Sequence, residues 1–209
     1  SKRGDIVYVH YSGHGQQMKD MHNDEKDGLD ECWIPYDAYR KPCDKDRGEK
    51  HLTDDEVNYY LNAIRDKIGD SGKMLVVIDA CHSGGATRGD EDEVVRGVED
   101  IFEAIKSFIW GTSADNGKAD VNPNAKENKE RWITISACKS DQVNIEMKSP
   151  AVGKLTYAIY NKVKENTGND NYDFIRRIRK FVNSNTGSRP QYPEMTGETD
   201  RYRITDIIQ

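Results

Sequence analysis

The sequence predicts a three-layer α/β fold built on a mostly parallel sheet. Three short apolar runs carry that prediction: residues 6–11 (IVYVHY), 74–78 (MLVVI) and 132–138 (WITISAC). The first two end in turn-forming residues and all are rich in β-branched or aromatic side chains, the pattern of strands covered on both faces. Helical patterns lie between and after them. Residues 56–68 place Val57, Tyr60, Leu61, Ile64 and Ile68 at helix spacing, and residues 155–163 and 174–182 do the same. Strands alternating with helices of this length put helices on the faces of one sheet.

Composition narrows the class further. A chain of 209 residues suits one domain with a real core. Its 31 basic and 37 acidic side chains leave a net charge of −6, which argues against nucleic acid as the main partner. Charged residues make up 33%, above the usual quarter or so, and predict a heavily solvated surface. No apolar run approaches the roughly 20 residues that span a bilayer, so no membrane partner is expected. The start, Ser1-Lys2-Arg3-Gly4-Asp5, lacks the apolar region of a signal peptide. Cysteines at 32, 43, 81 and 138 show no CxxC spacing, and point to a reducing, cytoplasmic compartment.

The remaining segments read as connections. Residues 37–50 are charged and hold Pro42 and Gly48, a loop pattern, and residues 111–130 contain almost nothing apolar. Between 91 and 110 the chain is acidic and then amphipathic (Val94, Val95, Val98, Ile101, Phe102, Ile105, Phe108, Ile109), which reads as a helix. One domain over 1–209 is therefore expected, with a first part to about 110, a flexible linker over 111–130 and a second part from 131. The first strand begins only five residues from Ser1. Left as a bare apolar edge it would invite pairing with another chain, so an upstream piece completing the sheet is expected.

Chemistry in open α/β sheets gathers beyond the carboxyl ends of the strands. Here two such ends carry reactive residues, Ser12-Gly13-His14-Gly15 and Asp79-Ala80-Cys81-His82-Ser83-Gly84-Gly85. Strand alternation sets Ser12 with His14, and Asp79 with Cys81. A thiol beside an imidazole is an activated nucleophile, since the histidine takes the proton, the thiolate attacks a carbonyl and the histidine protonates the leaving amine. Glycine-rich turns supply backbone donors for an oxyanion. Blander readings stand beside these. A cysteine ending a buried strand is commonly a small core residue, the reading preferred for Cys138 but not for Cys81. His10 reads as packed, and His82 points away from Cys81. No HExxH or CxxC spacing supports zinc.

Taken together, His10-Tyr11-Ser12-Gly13-His14-Gly15 and Asp79-Ala80-Cys81-His82-Ser83-Gly84 resemble the metacaspases, within the caspase-like cysteine peptidases. Asp27-Gly28-Leu29-Asp30-Glu31 with Ile34-Pro35-Tyr36-Asp37, and Leu52-Thr53-Asp54-Asp55-Glu56, are similar to the acidic segments these enzymes carry after the histidine. Residues 136–142 (SACKSDQ) with Glu146, Gly153-Lys154-Leu155-Thr156 and Gln191-Tyr192-Pro193-Glu194 resemble their small-subunit half. The order is kept over nearly the whole chain.

The resemblance implies a caspase-like α/β/α sandwich whose N-terminal strand and helix are absent here, with that segment itself an expected partner. It implies His14 as general base and acid, Cys81 as nucleophile, and oxyanion donors at the backbone of Gly15 and Cys81. Ser12 and Asp79 would line the S1 pocket, where a carboxylate suits a substrate arginine or lysine. Caspases proper have glutamine before Ala-Cys where this chain has Asp79. Asp79 also reads as a strand-end carboxylate capping a turn. Calcium is a subsidiary expectation at Asp30, Asp54 and Asp55, since clustered carboxylates supply its six to eight or so oxygens. The same Thr53-Asp54-Asp55-Glu56 also reads as a capping box opening a helix. The function expected is a cysteine endopeptidase acting after Arg or Lys through a thioester, with no cofactor needed for the chemistry. It is expected as a monomer and as a zymogen activated by proteolysis or calcium, with processing in 111–130. The alternative is a silent caspase-like scaffold or calcium-dependent binding module.

Overall fold

The computed structural model describes residues 1–20, 27–81, 93–102, 130–139, 142–165, 170–184 and 190–208. At its centre is a four-stranded sheet in the order β1 (Ile6–Ser12), β5 (Lys73–Asp79), β8 (Ile133–Ser136), β11 (Glu194–Gly197). The first three run parallel and β11 closes the far edge antiparallel. Parallel pairing aligns the strand ends: Ser12 lies opposite Asp79 and Ile78 opposite Ser136, so all three chains leave the sheet at one edge.

Alternation along the strands builds one core on each face. Leu75, Val77, Ile133, Ile135 and Ala137 meet helix α2 (Lys154–Lys164) and helix α3 (Asn171–Ser184) through Leu155, Ala158, Ile159, Phe174, Ile175, Ile178 and Val182. On the opposite face Met74, Val76 and Trp132 meet helix α1 (Asp54–Ile68) through Leu61 and Ile68. These are the three helices the periodicity predicts, and the sandwich has the three predicted layers. At the β1 edge, Val7 and Val9 join the α1 core, whereas Ile6 and Tyr8 on the other face stay exposed.

Helix α1 starts at the capping box expected from its sequence. The Thr53 side chain accepts from Glu56 N at 3.3 Å, and the Glu56 side chain accepts from Thr53 N at 3.2 Å. Asp54, Asp55 and Glu56 lie in its first turn and Arg65 and Lys67 in the last, which suits the helix dipole. Gly69, at φ 62°, ends it with its N–H on the Arg65 carbonyl.

At Gly13 the chain leaves the central sheet and continues as β2 (His14–Lys19) in a second sheet. Its order is β4 (Leu52–Thr53), β3 (Leu29–Ile34), β2, β7 (Gly97–Phe102). A third, smaller sheet joins β10 (Ala151–Gly153), β9 (Ile145–Lys148) and β6 (Glu93–Val95). Strands β6 and β7 replace the helix expected from residue 91 onward. The apolar residues keep a spacing that a helix would also allow, but burial switches from one residue to the next as in a strand: Phe102 is buried and its neighbour Ile101 is 47% exposed. Val94 and Val95 are β-branched, and backbone partners on β9 and β2 decide the conformation where the local pattern is ambiguous. The rest of the expected helix, and the linker up to residue 129, lie outside the described residues.

The first residues of β5 reach past the start of β8, leaving the Met74 backbone without a strand partner on that side. Tyr202 supplies one, donating its hydroxyl proton to the Met74 carbonyl at 2.6 Å and accepting from Met74 N at 3.1 Å. Tyr202→Phe leaves both groups buried and unpaired, and is expected to cost about 1–3 kcal/mol. A urea midpoint lowered without a change in slope will report it.

Candidate active site

Three strand ends and one inserted segment build the site. Ser12 ends β1, Asp79-Ala80-Cys81 ends β5, and Cys138 follows β8. Both thiols face the same acceptor, the Gln142 carbonyl, at 3.1 Å from Cys81 Sγ and 3.4 Å from Cys138 Sγ. The inserted segment is the junction of β6 and β7, where Arg96 is 6% exposed.

The corner between β1 and β2 is held by Tyr11. Its one hydroxyl proton is shared between the His14 carbonyl at 2.7 Å and the Ile34 carbonyl at 3.1 Å, and its oxygen accepts from Ile34 N at 3.0 Å. Its ring stacks on Trp33 at 4.5 Å. A Cβ at residue 13 would fall 2.8 Å from that hydroxyl, so only glycine fits the bend. Exposure still alternates through Gly13, with Ser12 and His14 both exposed, although the two residues lie on different strands. Ser12 belongs to the central sheet and His14 to the second, and their common neighbour is Arg96.

Asp79 is wholly buried at the end of β5. Its Oδ1 accepts from Asn144 Nδ2 at 2.8 Å, and its Oδ2 accepts from the Thr156 backbone N–H at 2.8 Å and from the Thr156 hydroxyl. Thr156 is in the first turn of α2, so the carboxylate also satisfies an orphan N–H and meets the positive end of the helix. The Thr156 hydroxyl has its one proton on Asp79, which leaves it to accept from His10 Nε2, 3.0 Å away. His10 Nδ1 is then the acceptor for the Tyr8 hydroxyl, also at 3.0 Å. Asn144 in turn accepts from Gln191 Nε2 at 2.9 Å, and Gln191 also donates to the Ala137 carbonyl at 3.0 Å. Asn144 and Gln191 are fully buried.

Arg96 lies across this frame. Its guanidinium donates to Ser12 Oγ at 2.7 Å and to the Asp79 carbonyl at 3.0 Å, while the Asp79 carboxylate is 3.9 Å away. Glu146 takes Nε at 3.0 Å and Nη2 at 2.9 Å. The carboxylate in direct contact with the cation is thus Glu146. The Arg96 carbonyl oxygen accepts from Gly15 N at 3.2 Å and from Cys81 N at 3.4 Å, and its own N–H donates to the Asn144 carbonyl at 3.0 Å. Ser12, Asp79, Gly15 and Cys81 therefore all meet one residue, the first two at its side chain and the last two at its carbonyl.

Two groups of the site have displaced pKa values. Partial burial and then the Arg96 charge lower the His14 pKa, with Glu146 opposing. The Cys138 thiol is pushed far up, first by its hydrogen bond with Cys81 and then by burial. Cys138, expected as a plain core residue, is a partner of Cys81.

Asp30 is buried on β3, and Asp54 and Asp55 open α1 beside the capping box. Among the described residues no group of three or more His, Cys, Asp or Glu side chains is placed to hold a metal ion. The calcium expectation therefore lacks a ligand set within those residues. His82, Ser83, Gly84 and Gly85, and the lysines of the linker, lie outside them. Sequence reasoning left out Asn144 and Thr156 as supports of Asp79 and gave Glu146 no task. Their separation from residue 79 along the chain leaves no spacing signal. Among the described residues no helix is long and apolar enough to cross a membrane.

Comparison with known proteins gives a consistent picture. The Caspase domain family model matches residues 1–202. The chain is 28% identical to Metacaspase-1 of Schizosaccharomyces pombe over 90% of its own length and 48% of that protein. It is 26% identical to Metacaspase-1B of Neurospora crassa over 91% of its length and 49% of that one. It thus spans about half the length of these curated relatives. A crystal structure of a Geobacter sulfurreducens protein matches the whole chain and 71% of its own, with a TM-score of 0.58 and 21% identity, a likeness of fold.

Two outcomes test the site's construction. A Cβ at residue 153 would fall 2.1 Å from Asp79 Oδ2. Gly153→Ala is therefore expected to lose about 1–3 kcal/mol of stability by overpacking, read as a lowered melting temperature. Cys81→Ala removes the largest cause of the raised Cys138 pKa. The pH at which Cys138 begins to react with iodoacetamide is expected to fall relative to the parent chain.

Proposed function

The chain belongs to the caspase-domain peptidases, and from that premise we propose that it is a cysteine endopeptidase cutting after arginine or lysine, with Cys81 as nucleophile and His14 as its base. The observation that carries the reading is the seat of Arg96. A basic side chain fits between Ser12, Asp79 and Glu146 while its carbonyl rests on the N–H groups of Gly15 and Cys81. A substrate arginine in the same place has its carbonyl oxygen already on two backbone donors, one of them the N–H of Cys81 itself.

In this mechanism neutral His14 takes the thiol proton as Cys81 Sγ attacks the scissile carbonyl. The oxyanion that forms draws on the Gly15 and Cys81 N–H groups, which act most strongly when charge develops on the oxygen. The C–N bond then breaks, and His14 gives its proton to the departing amine. Water, with His14 again as base, hydrolyses the thioester and restores the thiol. Glu146 binds the guanidinium directly. Asp79, committed to Asn144 and Thr156, shapes the pocket floor and adds negative charge at longer range. Calcium has no step here.

Two measurements test the reading. Hydrolysis of an arginyl amide substrate is expected to vanish in Cys81→Ala, and Glu146→Gln is expected to lower kcat/KM about 10- to 100-fold by removing a charge-assisted contact. Retained arginine cleavage in Cys81→Ala, or preference for aspartate in the parent chain, would sink it. The base works only when neutral, and the His14 pKa is lowered from the usual value. The acid limb of kcat/KM is accordingly expected below the ordinary histidine value near pH 6.5, as initial rates across pH will show.

A further inference from the structure

The mechanism uses one thiol, yet the site holds two. Cys81 stands two residues beyond the end of β5, and Cys138 two beyond the end of β8. Parallel pairing sets Ile78 opposite Ser136, and the Ala137 N–H continues it onto the Ile78 carbonyl at 2.9 Å. Neighbouring strands run about 4.8 Å apart, inside the Cα separation of roughly 4.4–6.8 Å that a disulfide needs. The two thiols share the Gln142 carbonyl, at 3.1 and 3.4 Å, and are hydrogen-bonded to each other. With two protons available, one meets the carbonyl and the other lies between the sulfurs. The segment that carries this carbonyl is pinned. Gln142 N donates to the Lys139 carbonyl at 3.0 Å, and its side-chain oxygen accepts from Lys139 N at 3.3 Å and Tyr192 N at 3.1 Å. The other cysteines sit elsewhere: Cys32 packs with Met18 and Phe102 in the second sheet, and Cys43 lies in a turn with Asp46. Core packing at 138 would need bulk there, not a sulfur set against the nucleophile.

We propose that Cys81 and Cys138 join in a reversible disulfide, which silences the peptidase under hydroperoxide and protects its nucleophile from irreversible oxidation. The disulfide needs only this geometry; its effect on activity rests on the peptidase reading above. In the first step His14 takes the Cys81 proton and the thiolate attacks the terminal oxygen of a hydroperoxide. The O–O bond breaks, Cys81 becomes a sulfenic acid, and the leaving oxygen takes the proton from His14 to give water or an alcohol. In the second step Cys138 Sγ attacks the Cys81 sulfur, the S–O bond breaks, and the Cys138 proton leaves with the hydroxyl as water. The two thiols lose two electrons together, and the hydroperoxide gains them. Before oxidation Cys138 is held protonated, because its bond with Cys81 and then burial push its pKa up. Oxidation replaces that thiol partner with an electrophilic sulfur, so Cys138 becomes a competent attacker when there is a sulfenic acid to resolve. A dithiol restores both residues by exchange.

The test exposes the whole chain to hydrogen peroxide, blocks the remaining thiols with iodoacetamide and maps peptides without reduction. The wild type is expected to yield two peptides joined through Cys81 and Cys138, together lighter by two hydrogens. Arginyl amide hydrolysis should fall in step with that link, and dithiothreitol should reverse both. Each variant is measured against its own untreated rate. In Cys138→Ala, Cys81 should instead gain two oxygens as a sulfinic acid, and dithiothreitol should recover a fraction of activity about tenfold or more smaller than in the wild type. Cys138→Ser should behave in the same way. Wild-type Cys81 that carries oxygen without a link to Cys138 overturns the inference, as does a link to Cys32 or Cys43 in its place. Equal recovery in wild type and Cys138→Ala also overturns it. The peptide map is read on unaltered protein, so poor folding of a variant does not remove the test. Failure of the peptidase reading looks different. No form then hydrolyses arginyl amides, while Cys81 and Cys138 still join.

Discussion

Burying the Asp79 carboxylate is the constraint around which this molecule is arranged. An uncompensated carboxylate at the end of a hydrophobic strand would be prohibitively costly, so its lone pairs must be met from nearby. Asn144 meets one oxygen; the backbone and hydroxyl of Thr156 meet the other. That fixes where α2 starts, requires glycine at 153, and orders the chain leading into β9. Gln191 then orients Asn144, which ties the stretch before β11 to the same carboxylate. Negative charge from Asp79 and Glu146 is thereby concentrated at the edge where the parallel strands end, and the cation it attracts lies beside the Cys81 backbone.

The fold was legible because its determinants are local. Apolar runs such as 74–78 and the helix spacing of Val57, Leu61, Ile64 and Ile68 describe faces that need no knowledge of their partners. Thr53 and Glu56 announced the start of α1 in the same way. Residues 93–102 escaped because Val94, Val95 and Val98 satisfy either period over so short a span. The backbone of β9 and β2, more than forty residues away on one side and some eighty on the other, decides between them.

At the site, Ser12, Gly15, Asp79 and Cys81 were recognisable from strand-end composition and family pattern; the parallel register sets Ser12 beside Asp79, and all four meet at Arg96. What supports them was not. Glu146 looks like one acid among 37 acidic residues until β9 is laid beside β6. Cys138 looked like core filler because nothing in WITISAC says that its thiol shares a carbonyl with Cys81. Such contacts depend on tertiary placement, which a single sequence does not encode at any fixed spacing.

The Tyr11–Gly13 corner has a consequence for how the sequence can drift. A side chain at 13 collides with the hydroxyl at 11, while loss of that hydroxyl strands the Ile34 N–H and two carbonyls that it serves. Neither position can change first without penalty, so the two behave as one heritable unit. A lineage that replaced them would have to alter the β1–β2 bend and the Ile34 end of β3 together. Neutral variation in this protein should therefore accumulate around the corner rather than through it.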